Sequence, residues 1–215
     1  MTLAVKICGL SSEAAVTAAV TGGAAYLGFN FYPPSPRAVT AQKAARLCSA
    51  VPAGIARVGL FVDADDDTIG AVLAEAQVDI LQFHGNESPE RVAEARLRFA
   101  RPVMKAVAVA APEDVLGAAR YEVVADLLLF DTKPPRGPGA LPGGNGFAFD
   151  WDLIAGRSWK REWMLSGGLT AELLPDAVRI SGARVVDVSS GVESRAGEKD
   201  LDKISAFLAA ARALG

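Results

Sequence analysis

Short apolar runs alternate with longer helix-like segments along the whole chain. The clearest runs are residues 162–169 and 183–191, which each end in small residues and are separated by one helix length. This spacing is typical of two consecutive parallel strands joined by a helical crossover. We therefore expect the C-terminal ends of these two strands on the same side of one sheet.

The same alternation extends over the chain and predicts eight strands and about eight helices. The other predicted strands are residues 3–8, 25–32, 56–62, 79–85, 101–108 and 125–131. The helices are predicted to begin near Ser12, Thr40, Asp65, Ser88, Pro112, Asp150, Leu169 and Asp200. Strict alternation favours a parallel sheet with right-handed crossovers, and no linker divides residues 1–215, so we expect one domain.

A closed barrel and an open doubly wound sheet both fit this alternation. Polar residues decide between them, because they recur at the ends or inward positions of strands across the whole chain. These residues are Lys6, Cys8, Asn30, Gln82, Lys105, Asp131 and Asp187. An open sheet would collect such residues at one switch point, whereas closure gathers all of them. The sequence therefore predicts a single-domain (β/α)8 barrel.

Composition favours a function that involves a small-molecule ligand. The chain has 215 residues, short of the roughly 250 that are typical of such a barrel, so its loops must be short. Hydrophobic residues make up 51% of the chain and the net charge is -3. This balance gives no sign of a nucleic-acid or membrane surface, and we expect a small-molecule ligand.

Cysteine and histidine usage adds two expectations. Cys8 and Cys48 form no disulfide framework, and no signal peptide or membrane-spanning stretch is visible, so we expect a cytoplasmic protein. We expect Cys48, in a predicted helix, to be an inert core residue. With one histidine and no paired Cys or His spacing, a histidine-rich metal centre cannot be assembled.

The loops after the last two strands have the composition of a phosphate site. These loops contain Gly167, Gly168, Ser189, Ser190 and Gly191. Glycine allows the backbone to approach a ligand closely, and backbone N–H groups and hydroxyls bind an anion. Each motif alone is better explained as a tight strand-to-helix turn. Together, on the last two strands of a barrel, they favour phosphate.

Four other side chains are candidates for the site. Arg37 follows three prolines that stiffen its loop, which suits it to grip a carboxylate, although a solvated arginine is the simpler alternative. Asp131 ends the sixth strand, at the rim where barrel enzymes place catalysis. His84 is either a titrating group or a structural histidine. We expect Asp187 to pair with Lys6 or Lys105 and hold the interior.

The longest predicted loop, residues 132–147, is rich in glycine and proline. Long irregular loops in compact domains are often lids. We expect either a mobile lid here or a nest of N–H groups for phosphate around residues 143–146.

Seven motifs, in order along nearly the whole chain, resemble one enzyme family. They are Val5-Lys-Ile-Cys-Gly9, Asn30-Phe-Tyr-Pro-Pro-Ser-Pro-Arg37, Gln82-Phe-His-Gly85, Leu129-Phe-Asp-Thr-Lys133, Phe149-Asp-Trp151, Leu165-Ser-Gly-Gly-Leu169 and Val186-Asp-Val-Ser-Ser-Gly-Val-Glu193. The family is phosphoribosylanthranilate isomerase of tryptophan biosynthesis. The loop that reads Gly143-Gly-Asn-Gly-Phe147 departs from the family's usual Gly-Gly-Ser/Thr-Gly-Lys.

The resemblance implies a fold, a reaction and roles for residues. The fold is an eight-stranded TIM barrel, and the reaction converts N-(5'-phosphoribosyl)anthranilate to its 1-deoxyribulose phosphate isomer without a cofactor. Cys8 would be the general base and Asp131 the general acid. Arg37 would hold the anthranilate carboxylate, and the glycines and serines after the last two strands would hold the phosphate.

The chemistry supports this assignment independently. Opening a ribosylamine ring requires an acid at the ring oxygen, and the Amadori step that follows requires a base at the neighbouring carbon. Asp131 must therefore be protonated in the reactive complex. The thiol of Cys8 must lose its proton, and we expect the charge of Lys6, on the same strand face, to lower its pKa. The aryl nitrogen stabilises the iminium, so the reaction needs no metal.

Two alternative functions remain open from the sequence. Another phosphosugar barrel enzyme, such as the histidine-pathway isomerase or a metal-dependent pentose-phosphate epimerase, would share the fold and phosphate site. The epimerase requires histidine ligands that this chain lacks, and the histidine-pathway enzyme would lack the cysteine base. The second alternative is a phosphoribosyl-binding barrel without catalysis. The sequence is compatible with a monomer or a homodimer.

Overall fold

Eight parallel strands close into a barrel, as the sequence predicts. A computed structural model describes residues 3–133, 143–144, 146 and 148–215. The strands are β1 (Ala4–Cys8), β2 (Tyr26–Asn30), β3 (Ala56–Phe61), β4 (Ile80–Phe83), β5 (Val103–Val109), β6 (Leu127–Thr132), β7 (Glu162–Leu165) and β8 (Val185–Val188). They pair in sequence order, and β8 closes the barrel against β1. The predicted TIM barrel is confirmed.

Seven α-helices are described between and after these strands. They are α1 (Glu13–Thr21), α2 (Ala41–Ser49), α3 (Asp66–Glu75), α4 (Pro89–Phe99), α5 (Pro112–Gly117), α6 (Leu174–Ser181) and α7 (Leu201–Ala213). Five of them begin at predicted start residues, where Ser12, Thr40, Asp65, Ser88 and Asp200 accept a backbone N–H from the first turn. Such caps satisfy amide donors that have no partner within the helix.

The prediction of a helix beginning at Asp150 is wrong. The chain instead forms one 3-10 turn, Trp151–Leu153. Gly156 adopts a positive φ of 66° shortly after it, so too few residues lie between Asp150 and Gly156 for a stable helix. The lid or phosphate nest expected in residues 132–147 falls largely on residues 134–142, 145 and 147, which lie outside the described part of the chain.

Apolar side chains form two layers, one inside the barrel and one between the strands and the helices. The inner layer contains Val58, Ile80, Met104, Ala106, Leu127, Leu129, Met164 and Val185. This layer fills the lower barrel with side chains from alternate strand positions, as in a closed barrel of eight strands. Polar side chains can therefore meet only above it, at the C-terminal ends of the strands.

The predicted inward orientation of Lys105 is wrong. Its neighbours Met104 and Ala106 belong to the inner layer, so Lys105 points outward. There its Nζ donates to Gly85 O at 2.7 Å and to Glu87 Oε2 at 2.9 Å. These bonds satisfy the buried ammonium group and hold the loop that follows β4.

A two-stranded hairpin between β8 and α7 was not predicted. Its strands are β9 (Glu193–Arg195) and β10 (Glu198–Lys199), which pair antiparallel. The hairpin extends from the barrel rim and places Glu193 and Lys199 next to the site described below. Within the described residues, no helix has the length and apolarity needed to cross a membrane.

Candidate active site

One cavity opens at the C-terminal ends of the barrel strands. Its empty volume is about 620 Å³, a figure that includes open solvent at its mouth. Among the residues that line it are Cys8, Arg37, His84, Asp131, Gly167, Gly168, Asp187, Ser189, Ser190 and Gly191. The closed barrel therefore brings together every predicted site residue except Lys6, which lies directly beneath and pairs with Asp187.

Three residues on β1 and β8 form what we call the base cluster: Cys8, Lys6 and Asp187. Strand register places Lys6 beside Asp187, and Lys6 Nζ donates to Asp187 Oδ1 at 2.8 Å. The second carboxylate oxygen accepts from Ser166 Oγ at 3.1 Å. Lys6 has no exposed surface. The sequence left open whether Asp187 pairs with Lys6 or Lys105, and the structure shows Lys6.

Burial dominates the ionisation of the base cluster. It raises the pKa of the Cys8 thiol, and the charges of Lys6 and Lys199, which lower this pKa, do not outweigh burial. Lys6 therefore acts in the expected direction, but the thiol pKa is not lowered overall. For Lys6 itself, burial alone would lower the pKa, yet the charge of Asp187 and then that of Cys8 raise it above its ordinary value. At neutral pH the raised pKa values therefore keep Lys6 as an ammonium and Cys8 as a thiol.

Space for the Cys8 sulfur comes from the neighbouring strand. Gly28 of β2 pairs with Cys8, and a Cβ atom added at Gly28 would lie 2.9 Å from the sulfur. This distance is shorter than a van der Waals contact, so a methyl group there would displace the thiol. The glycine is required by close packing and not by its backbone angles.

On the opposite side of the barrel, β4, its following loop and β6 supply what we call the acid cluster: Asp131, His84 and Gln82. His84 Nε2 lies 3.2 Å from Asp131 Oδ2, and His84 Nδ1 lies 2.9 Å from Gln82 Nε2. Asp131 Oδ1 accepts from the backbone N–H of Thr132 at 2.9 Å. Asp131 is 4% exposed, so its carboxyl group is fixed by these bonds and contacts little solvent.

The acid cluster accommodates both protonation states of Asp131. A neutral imidazole donates from one nitrogen and accepts at the other. With the proton on Nε2, His84 donates to an ionised Asp131 and accepts from the Gln82 amide. With the proton on Nδ1, it accepts from a protonated Asp131 and donates to Gln82 Oε1 after half a turn of the amide. That buried oxygen has no hydrogen-bond partner among the described residues.

Arg37 is buried at the rim and is not a solvated loop arginine. It is 5% exposed, and its Nε and Nη2 donate to the two carboxylate oxygens of Glu193. Its stem packs against Gly9, where an added Cβ would lie 2.7 Å from Arg37 Cδ. The guanidinium group therefore lies against the cavity in a fixed orientation.

The loops after β7 and β8 enclose another side of the cavity. Gly167 and Gly168 adopt positive φ values of 92° and 61°, which side chains with a Cβ rarely adopt. Ser189 Oγ donates to Cys8 O at 3.1 Å, which ties the β8 loop to the end of β1. Ser190 and Gly191 form the 3-10 turn that follows. These loops can present N–H groups to an anion beside the thiol.

The acidic residues after β3 lead into α3, whose predicted start near Asp65 is confirmed. Asp65 caps α3, accepting from Thr68 N at 2.9 Å, and Asp63 Oδ1 accepts from Asn86 N at 2.7 Å. In the part of the chain that the structure describes, no three His, Cys, Asp or Glu residues are grouped so that they could hold a metal ion.

Comparison with known proteins identifies the family. Residues 5–210 match the family model described as N-(5'-phosphoribosyl)anthranilate isomerase. The chain belongs to the N-(5'-phosphoribosyl)anthranilate isomerase family. The resemblance carried by the seven sequence motifs is confirmed.

Relatives of known name agree with this family. The chain is 56% identical over 208 residues to N-(5'-phosphoribosyl)anthranilate isomerase of Cereibacter sphaeroides, covering 97% of this chain and 98% of that protein. It is 34% identical to dimeric phosphoribosylanthranilate isomerase of Thermotoga maritima, solved as monomers, with a TM-score of 0.83 over 99% of this chain and 100% of that one.

A third relative was solved with a bound ligand. It is a phosphoribosylanthranilate isomerase in complex with reduced 1-(o-carboxyphenylamino)-1-deoxyribulose 5-phosphate. It is 33% identical to this chain, with a TM-score of 0.83, covering 99% of this chain and 100% of that one.

Sequence reasoning missed two residues at the site of this isomerase family member. Glu193 appeared only as the last residue of a motif, and Lys199 was not considered. Lys199 Nζ donates to Glu193 Oε1 at 2.8 Å and to Ser189 O at 2.9 Å, and its side chain is buried. The available signal was an acidic residue directly after the predicted phosphate loop, followed by a lysine six positions later.

Proposed function

We propose that this chain converts N-(5'-phosphoribosyl)anthranilate to 1-(2-carboxyphenylamino)-1-deoxyribulose 5-phosphate in tryptophan biosynthesis, with Cys8 as base and Asp131 as acid. Family membership identifies the reaction. The observation that supports the residue roles is that Cys8 of β1 and Asp131 of β6, on opposite sides of the barrel, line one cavity with Arg37 and the two glycine-serine loops.

The first step opens the ribose ring. Protonated Asp131 donates its proton to the ring oxygen as the bond between that oxygen and the anomeric carbon breaks. The lone pair of the aryl nitrogen forms the new iminium bond, so the positive charge moves onto nitrogen. His84 and Gln82 support this step, because their tautomers match Asp131 both before and after it gives up the proton.

The second step removes the proton from the neighbouring carbon. The thiolate of Cys8 takes this proton, and the electron pair moves to form an enaminol and discharge the iminium. Protonation at the former anomeric carbon, with loss of the proton from the enol hydroxyl on the neighbouring carbon, gives the ketone. One carbon is oxidised and its neighbour is reduced, so the reaction balances without an external oxidant or reductant.

Charge explains how a thiol with a raised pKa serves as the base. Burial opposes the thiolate, whereas the charges of Lys6 and Lys199 favour it. The iminium formed in the first step adds a third positive charge beside the sulfur, where low dielectric strengthens the interaction. The proposed role of Lys6 and Asp187 is to leave Cys8 as a thiol before the reaction and to allow its ionisation once the iminium has formed.

Substrate orientation is assigned to groups away from the reacting carbons. We place the phosphate at Gly167, Gly168 and residues 189–191, and the anthranilate carboxylate at Arg37. The ligand of the third relative carries both a carboxyphenyl group and a phosphate, the two groups that these subsites would hold. Binding at both ends aligns the sugar between acid and base and reduces the entropy lost in the reaction.

We extend the proposal to the setting of the enzyme. We propose that residues 1–215 act as one catalytic domain, as a monomer or homodimer, in the cytoplasm, without cofactor or nucleic acid. The free thiols of Cys8 and Cys48 are the form that a reducing compartment favours. The internal redox balance of the reaction supports catalysis without a cofactor.

A comparison of the two cysteines tests the proposal. Purified protein is expected to consume the fluorescent anthranilate adduct, and Cys8→Ala is expected to lower kcat by about 10²- to 10⁴-fold. The Kd of the reduced product analogue should change little in Cys8→Ala. Cys48→Ala is the matched control, because Cys48 is also buried, in α2, where burial raises its pKa to about 11.

Two outcomes would contradict this proposal. Equal kcat values for Cys8→Ala and Cys48→Ala would exclude Cys8 as the base. Unsubstituted protein that binds the reduced analogue but does not consume the adduct would indicate a phosphoribosyl-binding barrel without catalysis.

A further inference from the structure

The guanidinium group of Arg37 is already bound to a carboxylate. Nε donates to Glu193 Oε1 at 2.8 Å, and Nη2 donates to Glu193 Oε2 at 2.9 Å. Both residues are buried, with Arg37 5% and Glu193 7% exposed. The pair is therefore bidentate and shielded from solvent, which is the geometry that makes an arginine–carboxylate pair strong and directional.

Glu193 is itself fixed from other directions. Its Oε1 also accepts from Lys199 Nζ at 2.8 Å, and its Oε2 accepts from the backbone N–H of Gly197 at 3.3 Å. The hairpin of β9 and β10 supplies all three of these residues. Burial alone would raise the pKa of Glu193, but Arg37 and Lys199 lower it below its ordinary value, so the carboxylate stays ionised at neutral pH.

The contacts with Glu193 leave one part of Arg37 for a ligand. A guanidinium group has five N–H donors. Glu193 takes the Nε donor and one from Nη2, and Gly144 O accepts from Nη2 at 3.3 Å. Among the described residues, none accepts a hydrogen bond from the two Nη1 donors, which lie on the side where Gly144 approaches, since an added Cβ on Gly144 would lie 2.6 Å from Nη1. Gly144 lines the cavity, so this side faces the ligand space.

Charge gives Lys199 a separate contribution. Arg37 and Glu193 alone would form a neutral pair, which attracts an anionic ligand weakly. Burial lowers the pKa of Lys199, and the charge of Glu193 opposes that shift. With Lys199 protonated, the three side chains carry two positive charges and one negative charge. The net charge of this group is therefore positive while Glu193 still fixes the arginine plane.

We propose that Glu193, held by Lys199, is a positioning residue that aims the Nη1 edge of Arg37 at the carboxylate of the substrate. This inference rests on the proposed function, in which Arg37 binds that carboxylate. Glu193 touches neither the substrate nor the reacting atoms. Its effect is limited to ligands that carry the carboxylate.

The test compares two ligands that differ only in this carboxylate. One is reduced 1-(o-carboxyphenylamino)-1-deoxyribulose 5-phosphate, and the other is the same compound with an unsubstituted phenyl ring. The ratio of their Kd values measures how much the carboxylate adds to binding. In Glu193→Gln, which keeps the shape and removes the charge, we expect this ratio to fall by about tenfold. The Kd of the phenyl compound should stay within about threefold.

The kinetic constants should also show an effect on binding of the carboxylate and not on the chemical step. Because a correctly aimed carboxylate contact is made in both ground state and transition state, Glu193→Gln should raise KM and change kcat little. The matched control is Glu198→Gln on the same hairpin, where the exposed carboxylate pairs with exposed Arg195. It should leave both Kd values and KM unchanged.

The outcomes separate this inference from the proposed function. If the Arg37→Ala protein keeps the full ratio of the two Kd values, both the carboxylate site at Arg37 and the role of Glu193 are overturned. Loss of the ratio in Arg37→Ala together with an unchanged ratio in Glu193→Gln would overturn only the role of Glu193. Equal weakening of both ligands in Glu193→Gln would indicate a purely structural residue and would overturn it too.

Lys199 provides a second variant that does not depend on the folding of Glu193→Gln. Lys199→Met should lower the Kd ratio, and Lys199→Arg, which keeps the positive charge, should restore at least part of it. An unchanged ratio in folded Lys199→Met would overturn the proposal.

Discussion

The base cluster and the acid cluster prepare their reacting groups in different physical ways. In the base cluster, a buried ion pair of Lys6 and Asp187 lies beside the thiol, so full charges modify a thiol pKa that burial raises. In the acid cluster, Asp131 is bonded to His84, which is bonded in turn to the Gln82 amide, and the histidine can exchange its donor and acceptor roles by moving a proton between its nitrogens. Substitutions of Lys6 and Asp187 should therefore alter pH dependence and stability, whereas those in the acid cluster should alter rate.

The largest expected effect removes the acid itself. Asp131→Asn keeps the shape of the side chain but cannot deliver a proton to the ring oxygen, so kcat should fall by about 10²- to 10⁴-fold. The Kd of the reduced product analogue, measured by titration, should change little because Asp131 is not assigned to ligand binding.

Asp176→Asn is the matched control for this substitution, since Asp176 is exposed on α6 and pairs with exposed Arg179. Its kcat should equal that of the unsubstituted protein. An Asp131→Asn protein that retained most of its kcat would show that another group supplies the proton.

An effect of intermediate size is expected in the pH dependence of the Cys8 alkylation rate. The charge of Asp187 raises the pKa of Cys8, so its removal in Asp187→Asn should lower that pKa. Thiolate reacts with iodoacetamide and thiol does not, so the alkylation rate of Cys8 rises as pH passes its pKa. The rise should occur at lower pH in Asp187→Asn, measured in a Cys48→Ala background.

Lys6→Met should give the opposite sign, because the charge of Lys6 lowers the pKa of Cys8. It also leaves Asp187 as an unpaired buried charge and should destabilise the fold by about 3 to 5 kcal/mol. Equal alkylation profiles in all three proteins would contradict the claim that charge controls the thiol.

The smallest effect should come from His84. His84→Phe removes the hydrogen bond to Asp131 and should lower kcat by up to about tenfold, the equivalent of one neutral hydrogen bond. His84→Gln retains a side chain that both donates and accepts, and should lose less. The pH dependence of the alkylation rate of Cys8 should be the same in both variants. A shift of that profile would show that the two clusters are coupled.

Strand order and barrel closure were predictable from the sequence because each strand has a recognisable local pattern of residues. Alternation identified the strands, and polar residues at strand ends indicated a barrel. The face of β5 was predicted wrongly because strands buried on both sides give no reliable apolar and polar faces. Lys105 shows why, since its charge is satisfied outside the barrel by Glu87 and two carbonyl groups.

The orientation of Arg37 could not be predicted for a related reason. Its partner Glu193 lies 156 positions away in the chain, on a hairpin of only a few residues. Contacts of this range follow from closure and leave no periodic signal. The ionisation of Cys8 was equally inaccessible, because it depends on the balance between burial and two lysines, and only one of these was considered.

The raised pKa of the Cys8 thiol has a consequence for oxidative stress. Peroxide oxidises thiolates much faster than thiols. A sulfur that is kept uncharged by its surroundings, with 5% of the residue exposed, is a slow target for such damage. The same burial that opposes the proposed role of Cys8 as a base should therefore slow its oxidation by peroxide.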